Sequence, residues 1–329
     1  MKAITFDKYG SADLLKLTER AKPLPKNNDV LVKVHAASIN SWDWELLQGT
    51  PFVNRLMFGL LKPKKINILG CDIAGRVEAV GKNVKHLQPG DAVFGDLSHE
   101  NWGGFAEYLC APENALVLKP ESITFEEAAA IPQAGLLALQ GLVDKGKITA
   151  KQNVLINGAG GGAGTFAVQI AKCIGANVTA VDSSAKLEKL SLLGADQVID
   201  YRLQDFTKNG CQYDLILDMA AHHSIFDYQR ALNPSGVYVM VGGSMALANQ
   251  LLLLGPILSM FSNKTMGVLL HNPNNKDLNF MKQLVEDGKV APVIDKRYPL
   301  VEVADALRYF GSGQAIGKVV ITIENACNI

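Results

Sequence analysis

Two hydrophobic rhythms divide this chain. In the first third, apolar residues fall in short runs separated by turn signals. Val30–Ala36 (VLVKVHA) alternates in part at period two, and so does Ile73–Val80 (IAGRVEAV), with glycines at Gly75 and Gly81. Pro89-Gly90-Asp91 turns the chain before Ala92-Val93-Phe94, and Gly103-Gly104 precedes Phe105–Cys110. Short strands at this spacing predict a small barrel-like β domain. Near Phe125 the rhythm changes. Phe125–Lys145 reads as helical, and from Asn153 strands and helices alternate. The strands are Val154–Ile156, Val178–Val181, Gln197–Ile199, Leu215–Leu217 and Val237–Val241; the helices between them include Thr165–Cys173 and Ala185–Leu193. This alternation predicts a parallel, doubly wound sheet. The tail adds helices over Leu278–Asp287 and Val301–Phe310 and a last strand, Lys318–Ile323.

The most specific chemistry lies at Val154–Lys172 (VLINGAGGGAGTFAVQIAK). A strand enters a glycine cluster and the cluster opens a helix. Glycines let the backbone approach a pyrophosphate, and the helix start offers unpaired N–H groups and a positive dipole end. Two registers fit: Gly158-x-Gly160-x-x-Ala163 and Ala159-x-Gly161-x-x-Gly164. The strand before and the helix after supply the context that such a motif needs.

Composition narrows the picture. The 329 residues suggest two domains, and 48% apolar content supports sizeable cores. Formal net charge is zero, which argues against a nucleic-acid partner. Five scattered cysteines, without a CxxC pair or an export signal, point to reduced thiols and a cytoplasmic location. Ala246–Phe261 (ALANQLLLLGPILSMF) is apolar but too short to span a membrane and is broken by Gly255-Pro256; a subunit interface or cleft wall fits it better than a membrane surface.

Several motifs in order then identify a relationship. They are Ala36–Asp43 (AASINSWD), Gly70–Val77 (GCDIAGRV), Gly90–Val93, Gly103–Tyr108, the glycine loop, Gly194-Ala195-Asp196 with Val198–Tyr201, and Gly317–Ile321. The chain resembles, from end to end, the zinc-free quinone oxidoreductase branch of the medium-chain dehydrogenase/reductase superfamily. The resemblance implies an α/β fold: a GroES-like β-barrel domain over 1–124 with 292–329, and a Rossmann cofactor-binding domain over 125–291. It selects the Ala159/Gly161/Gly164 register, with Gly162 and Ala163 in the same loop. It also implies a homodimer.

Zinc-dependent relatives hold their metal with Cys, His or Glu, and Cys. The corresponding positions here are Asn40, Cys71 and about Gln133, two amides and a thiol, a poor set for the ion. No structural four-cysteine lobe is present, so no metal is expected. Cofactor choice turns on the end of the second strand. Asp182 there would hold a ribose 2′-OH, whereas Ser183, Ser184 and Lys186 would grip a 2′-phosphate. The resemblance places Lys186 and Tyr201 around the phosphate, favouring NADPH over NADH. It puts Asn40 beside the nicotinamide ribose, as the candidate catalytic residue, and Gly242-Gly243 where backbone closes over the nicotinamide. Two departures stand out: Leu137 lies where many relatives have a cofactor-contacting threonine, and Met219–His222 replaces a Val-Gly-Gly type of turn. Trp42, Trp44 and Phe52 suit either stacking on a planar substrate or core packing. His222 and His223, adjacent at a strand end, are expected to diverge and not to form a metal pair.

The chemistry that follows is hydride delivery to an acceptor that is already electrophilic, a quinone or an α,β-unsaturated carbonyl. The alternatives are a zinc-free alcohol or aldehyde reductase of the same fold, and a low-turnover NADP(H)-binding sensor or structural protein.

Overall fold

The computed structural model describes residues 1–64 and 66–323. The chain forms two compact units. One comprises Met1–Gln133, Pro273–Glu286 and the stretch from Pro292; the other comprises Ala134–Asn272 and Asp287–Ala291.

The second unit is a six-stranded parallel sheet. Its strands lie in the order Gln197–Asp200, Asn177–Asp182, Asn153–Asn157, Tyr213–Asp218, Leu232–Met240, Thr265–Val268. Val154-Leu155-Ile156 and Leu215-Ile216-Leu217 are continuous apolar runs because both faces of these central strands are covered, leaving every one of the six side chains with 0% exposure. The strand order reverses between Asn153–Asn157 and Tyr213–Asp218. In such sheets the loops at the carboxyl ends beside that reversal form the ligand site.

The first unit is built on a seven-stranded sheet. Its long central strand, Asp29–Ser38, pairs with Asp72–Val80, with Tyr108–Pro112 and with Lys318–Thr322. It is buried nearly throughout, so the partial alternation in its sequence reflects a strand enclosed on most sides. Two helices read as parts of the nucleotide domain belong to this unit. Phe125, which opens Phe125–Ala129, stacks on His35 with ring centroids 4.4 Å apart. Asn275, which opens Asn275–Glu286, donates to the Leu116 carbonyl at 3.2 Å.

The single helix read over Phe125–Lys145 is three pieces: Phe125–Ala129, Pro132–Leu139 and a wider turn at Gln140–Lys145. Pro132 lacks the N–H that would continue the first helix and instead begins the next. The apolar stretch around Gly255-Pro256 is not broken: Met245–Phe261 is one helix with Pro256 inside it. Among the described residues no helix is long and apolar enough to cross a membrane. Cys71, Cys110, Cys173 and Cys211 are free thiols, and Cys327 lies outside the described residues.

Candidate active site

In the first unit three strand ends bring together a buried polar cluster. Asn40 follows the central strand and starts the helix Ser41–Gln48. Cys71 and Asp72 stand at the start of Asp72–Val80, with Asp72 in register with Ser38. Lys318 opens the strand on the other side of Asp29–Ser38. Gln133, on Pro132–Leu139, completes the group.

Asp72 is the hub. Its Oδ2 accepts from Asn40 Nδ2 at 2.9 Å, from Ser38 Oγ at 3.2 Å and from Lys318 Nζ at 3.4 Å; its Oδ1 accepts from the Gln133 backbone N–H at 3.0 Å. Burial raises its pKa to about 6, and the Lys318 ammonium pulls the other way. The Lys318 and Asp72 side chains are 3% and 0% exposed, so this ion pair is cut off from solvent.

Asn40 is held at both ends of its amide. Lys318 Nζ donates to Oδ1, while Nδ2 donates to Asp72 and, at 3.4 Å, to Cys71 Sγ. The ammonium can only donate, so the orientation of the amide is settled by chemistry. Both Nδ2 hydrogens are used within the cluster. What Asn40 retains is one lone pair on Oδ1, which accepts from a hydroxyl and cannot donate to an oxyanion. The Asn40 backbone N–H donates to Asp43 Oδ2 at 2.8 Å, and Gly70 N–H donates to Asp43 Oδ1 at 2.7 Å. Burial raises the Asp43 carboxyl to about 7 against the pull of these two donors.

The zinc question turns on the same atoms. Cys71, Asp72 and Asp96 place a thiol and two carboxylate oxygens within 4.8 Å of one another, all buried. Yet Asp72 already has its cation in Lys318. The Cys71 Sγ faces two amides, accepting from Asn40 Nδ2 at 3.4 Å and Gln133 Nε2 at 3.7 Å, where zinc-dependent relatives have further metal ligands. The donor set does not fit a zinc ion.

The aromatic candidates are dispersed. The Trp42 ring lies parallel to His99 with centroids 6.4 Å apart. Trp44 packs so closely on Gly311 that a Cβ there would meet its ring at 2.5 Å. Phe52 is exposed.

In the second unit, the glycine loop lies at the strand-order reversal. Gly158 turns the chain with φ 73°, and Gly161 starts the helix Gly162–Ile174. A Cβ on Gly164 would lie 2.4 Å from the Gly158 carbonyl oxygen, so only glycine lets the helix pack this closely. The Gly162, Ala163 and Gly164 N–H groups begin the helix, before its internal hydrogen bonds start, and so face outward as donors for an anion. Ala159 is fully buried beneath them.

Asp182 braces this loop. Its Oδ2 accepts from Gly160 N–H at 2.8 Å, its Oδ1 accepts from Ser183 N–H at 2.8 Å, and Lys186 Nζ lies 3.6 Å from Oδ1. Both residues of that ion pair are buried. The carboxylate is therefore occupied and largely neutralised. Ser184 N–H donates to Asp200 Oδ2 at 3.1 Å, linking this turn to the next strand end. Tyr201 follows Asp200, is half exposed, and lies beside Arg202, whose guanidinium is 5.6 Å from the ring centroid. Arg202 is exposed and was not singled out from the sequence. Its position just past the strand beside Asn177–Asp182 is the signal that was available.

Gly242 and Gly243 lie past Leu232–Met240, knitted to the neighbouring loop by the Ala221 N–H to Gly242 carbonyl bond at 3.1 Å and the Ser244 N–H to Ala221 carbonyl bond at 2.8 Å. Gly243 has φ 116°, and a Cβ there would strike Ala221 backbone at 2.4 Å. The sequence reading also missed a brace under this region. Buried Asp218 accepts from Asn157 Nδ2 at 2.8 Å, from Tyr238 OH at 3.0 Å and from Ala220 N–H at 3.0 Å. Burial raises its pKa. His222 and His223 do not diverge. Their rings lie 4.1 Å apart, with His222 Nδ1 3.0 Å from the Ala220 carbonyl oxygen and the His223 ring edge-on to Phe206 and Tyr228, and both backbone N–H groups donate to the Tyr228 hydroxyl. Burial, then His222, lowers the pKa of His223.

Comparison with known proteins relates the chain as a whole to named relatives. A model for the alcohol dehydrogenase GroES-like domain matches residues 26–121, and one described as zinc-binding dehydrogenase matches residues 193–321. The chloroplast envelope quinone oxidoreductase homolog of Arabidopsis thaliana is 34% identical, over 98% of both chains. The chloroplastic NADPH-dependent alkenal/one oxidoreductase of the same plant is 33% identical, covering 98% of this chain and 79% of its own. The solved quinone oxidoreductase from Coxiella burnetii superposes with a TM-score of 0.88 at 30% identity, covering 98% of this chain and 99% of its own.

Proposed function

Because the chain belongs to the medium-chain dehydrogenase/reductase superfamily, in its quinone oxidoreductase-like branch, we propose that it reduces quinones and α,β-unsaturated carbonyls with NADPH and without zinc. It is an NAD(P)H-dependent oxidoreductase; the choice of NADPH, the absence of zinc and the residue roles below are our reading.

One observation carries the reading. The cluster at Asn40, Cys71 and Gln133 is organised around an internal cation, Lys318, and offers no Lewis acid site to polarise an unactivated carbonyl. The acceptor must then bring its own electrophilicity, as quinones and enones do.

When bound, the reduced nicotinamide supplies a hydride, and the remaining proton comes from solvent. The chain's own residues position and shield. Gly162, Ala163 and Gly164 N–H groups take the pyrophosphate. Arg202, with Tyr201, Ser183 and Ser184, takes a 2′-phosphate, because Asp182 is already offset by Lys186 and no longer opposes it. Gly242 and Gly243 leave room for the nicotinamide. Asn40 receives a ribose or substrate hydroxyl on Oδ1, held in place by Lys318. A homodimer belongs to the same proposal on family resemblance alone, and a cytoplasmic location on the scattered cysteines without a CxxC pair.

Calorimetric titration with NADPH and NADH, followed by a screen of acceptors, tests this. NADPH is expected to bind at least tenfold more tightly, corresponding to about 1.4 kcal/mol. Quinones and 2-alkenals are expected to be turned over, and simple aldehydes are not. Preference for NADH, or turnover of simple alcohols alone, overturns the reading.

A further inference from the structure

Between Glu45 and Asp72 the sequence holds no acidic residue and four cations, Arg55, Lys62, Lys64 and Lys65, among a run of large apolar residues. The short helix Phe52–Phe58 lies here and buries none of its residues. Phe52 and Leu56, and Val53 and Met57, are each four apart, so they share one face, and all four are exposed. Phe58 packs toward the core from the other side, and Arg55 is tied to the Gly49 carbonyl at 3.0 Å and covers Tyr9. Leu60 and Leu61 extend the apolar face and are 53% and 87% exposed.

Leu60 and Leu61 also form one wall of a groove of about 1010 Å³. The groove carries Lys8, Lys16, Arg20, Lys62 and Lys64 against a single carboxylate, Asp7. None of these five cations takes part in an ion pair among the described residues. A chain with zero formal net charge therefore concentrates four net positive charges beside six exposed large apolar side chains. A soluble acidic ligand would account for the cations but not for the apolar face. A purely hydrophobic partner would account for the face but not for the unpaired cations. A bilayer with anionic headgroups accounts for both, since apolar side chains enter the acyl boundary while lysines meet the headgroups.

We propose that Phe52–Phe58, Leu60, Leu61 and the adjoining cationic groove form a docking surface for anionic phospholipid membranes. The contact is peripheral and reversible, because the apolar face is short and no helix among the described residues is long and apolar enough to span a membrane. It goes beyond the redox chemistry and would bring the protein to the phase in which lipophilic acceptors dissolve.

The test is co-sedimentation of the full chain with vesicles of phosphatidylcholine alone and of phosphatidylcholine mixed with phosphatidylglycerol. Binding to the mixed vesicles is expected at low salt, with release at about 1 M salt, where the Debye length falls to roughly 3 Å. Each cation lost near the surface weakens binding roughly fivefold, so Lys62→Glu with Lys64→Glu is expected to weaken it by about twenty-five-fold or more. Leu56→Glu with Leu61→Glu is expected to abolish it. All four positions are exposed, so the variants should keep the wild-type melting curve, which checks their folding. Failure to bind the mixed vesicles, or equal binding by the lysine variant, overturns the proposal. So does conversion of a dimer to a monomer by the leucine variant, which would make this face a contact between two copies.

Discussion

Lys318 meets Asp72 across 246 positions of sequence, with Nζ 3.4 Å from Oδ2 and both side chains shut away from water. The same ammonium caps the amide oxygen of Asn40. One residue thus neutralises a buried acid and fixes the residue proposed to meet the cofactor. Removing one partner of a buried pair leaves an uncompensated charge and costs about 3–5 kcal/mol. Lys318→Met is therefore expected to lower chemical-denaturation stability by that order. Adding Asp72→Asn should restore a large part of the loss. A double variant no more stable than the single one would deny the coupling.

Gly164 gives a second test. Its absent Cβ would lie 2.4 Å from one carbonyl oxygen and 2.5 Å from another, both backbone atoms that cannot step aside. Gly164→Ala is expected to destabilise the protein by about 1–3 kcal/mol through overpacking. It should weaken NADPH and NADH alike in calorimetry, since it disturbs the loop and not the 2′-phosphate contact.

Arg202 separates the cofactors. As an exposed guanidinium with no buried duty, its removal should leave stability within about 0.5 kcal/mol. A charge-assisted hydrogen bond to phosphate is worth about 1.5–3 kcal/mol. Arg202→Ala is accordingly expected to raise the NADPH Kd tenfold or more and to leave NADH unchanged. Lys186→Ala should differ, because it also strips Asp182 of its partner and loosens Gly160; both cofactors should weaken, NADPH more. Equal loss for the two would contradict the 2′-phosphate assignment.

Glu45 gives a pH test. Burial raises its pKa from the ordinary 4.5 to about 7. A carboxyl whose folded pKa lies above its unfolded value binds more protons in the folded state. Its contribution is full below about pH 4.5 and is lost as pH rises through about 7. With the partial exposure of this side chain discounted, the effect is on the order of 1 kcal/mol. Glu45 adds this fall to those of Asp43 and Asp72, whose raised carboxyls titrate in the same direction, and Glu45→Gln should remove its part of the wild-type slope. An unchanged slope in the variant would rule Glu45 out as its source.

Much of the fold is legible in the sequence because the parallel strands are continuous apolar runs and the glycine loop has strand and helix on either side. Leu155 and Ile216 are buried whatever the details of their neighbours. Boundaries are less legible where tertiary contacts decide them. Phe125 joins the barrel unit because its ring finds His35, which no local pattern announces. Pro256 is carried inside a helix that local rules would end. The candidate site divides in the same way. Asn40, Cys71 and the glycines could be named from motifs, since short-range spacing defines them. The duties of Lys318 and Asp218 could not, because each joins strands far apart in sequence. A lysine opening the apolar run Val319–Ile321 was the one visible sign. The closeness of the His222 and His223 rings was not legible either, because the His223 ring packs on Phe206 and Tyr228, which the local sequence does not announce.

The central claim is that a nicotinamide cofactor and an activated acceptor suffice, without a metal. It is tested most directly by the initial rate of NADPH oxidation with a 2-alkenal or 9,10-phenanthrenequinone, measured on chelator-treated protein in chelator-containing buffer. The account predicts saturable turnover unchanged by the chelator and slower with NADH. Turnover that vanishes with the chelator and returns with zinc, or no turnover of either acceptor, would contradict it.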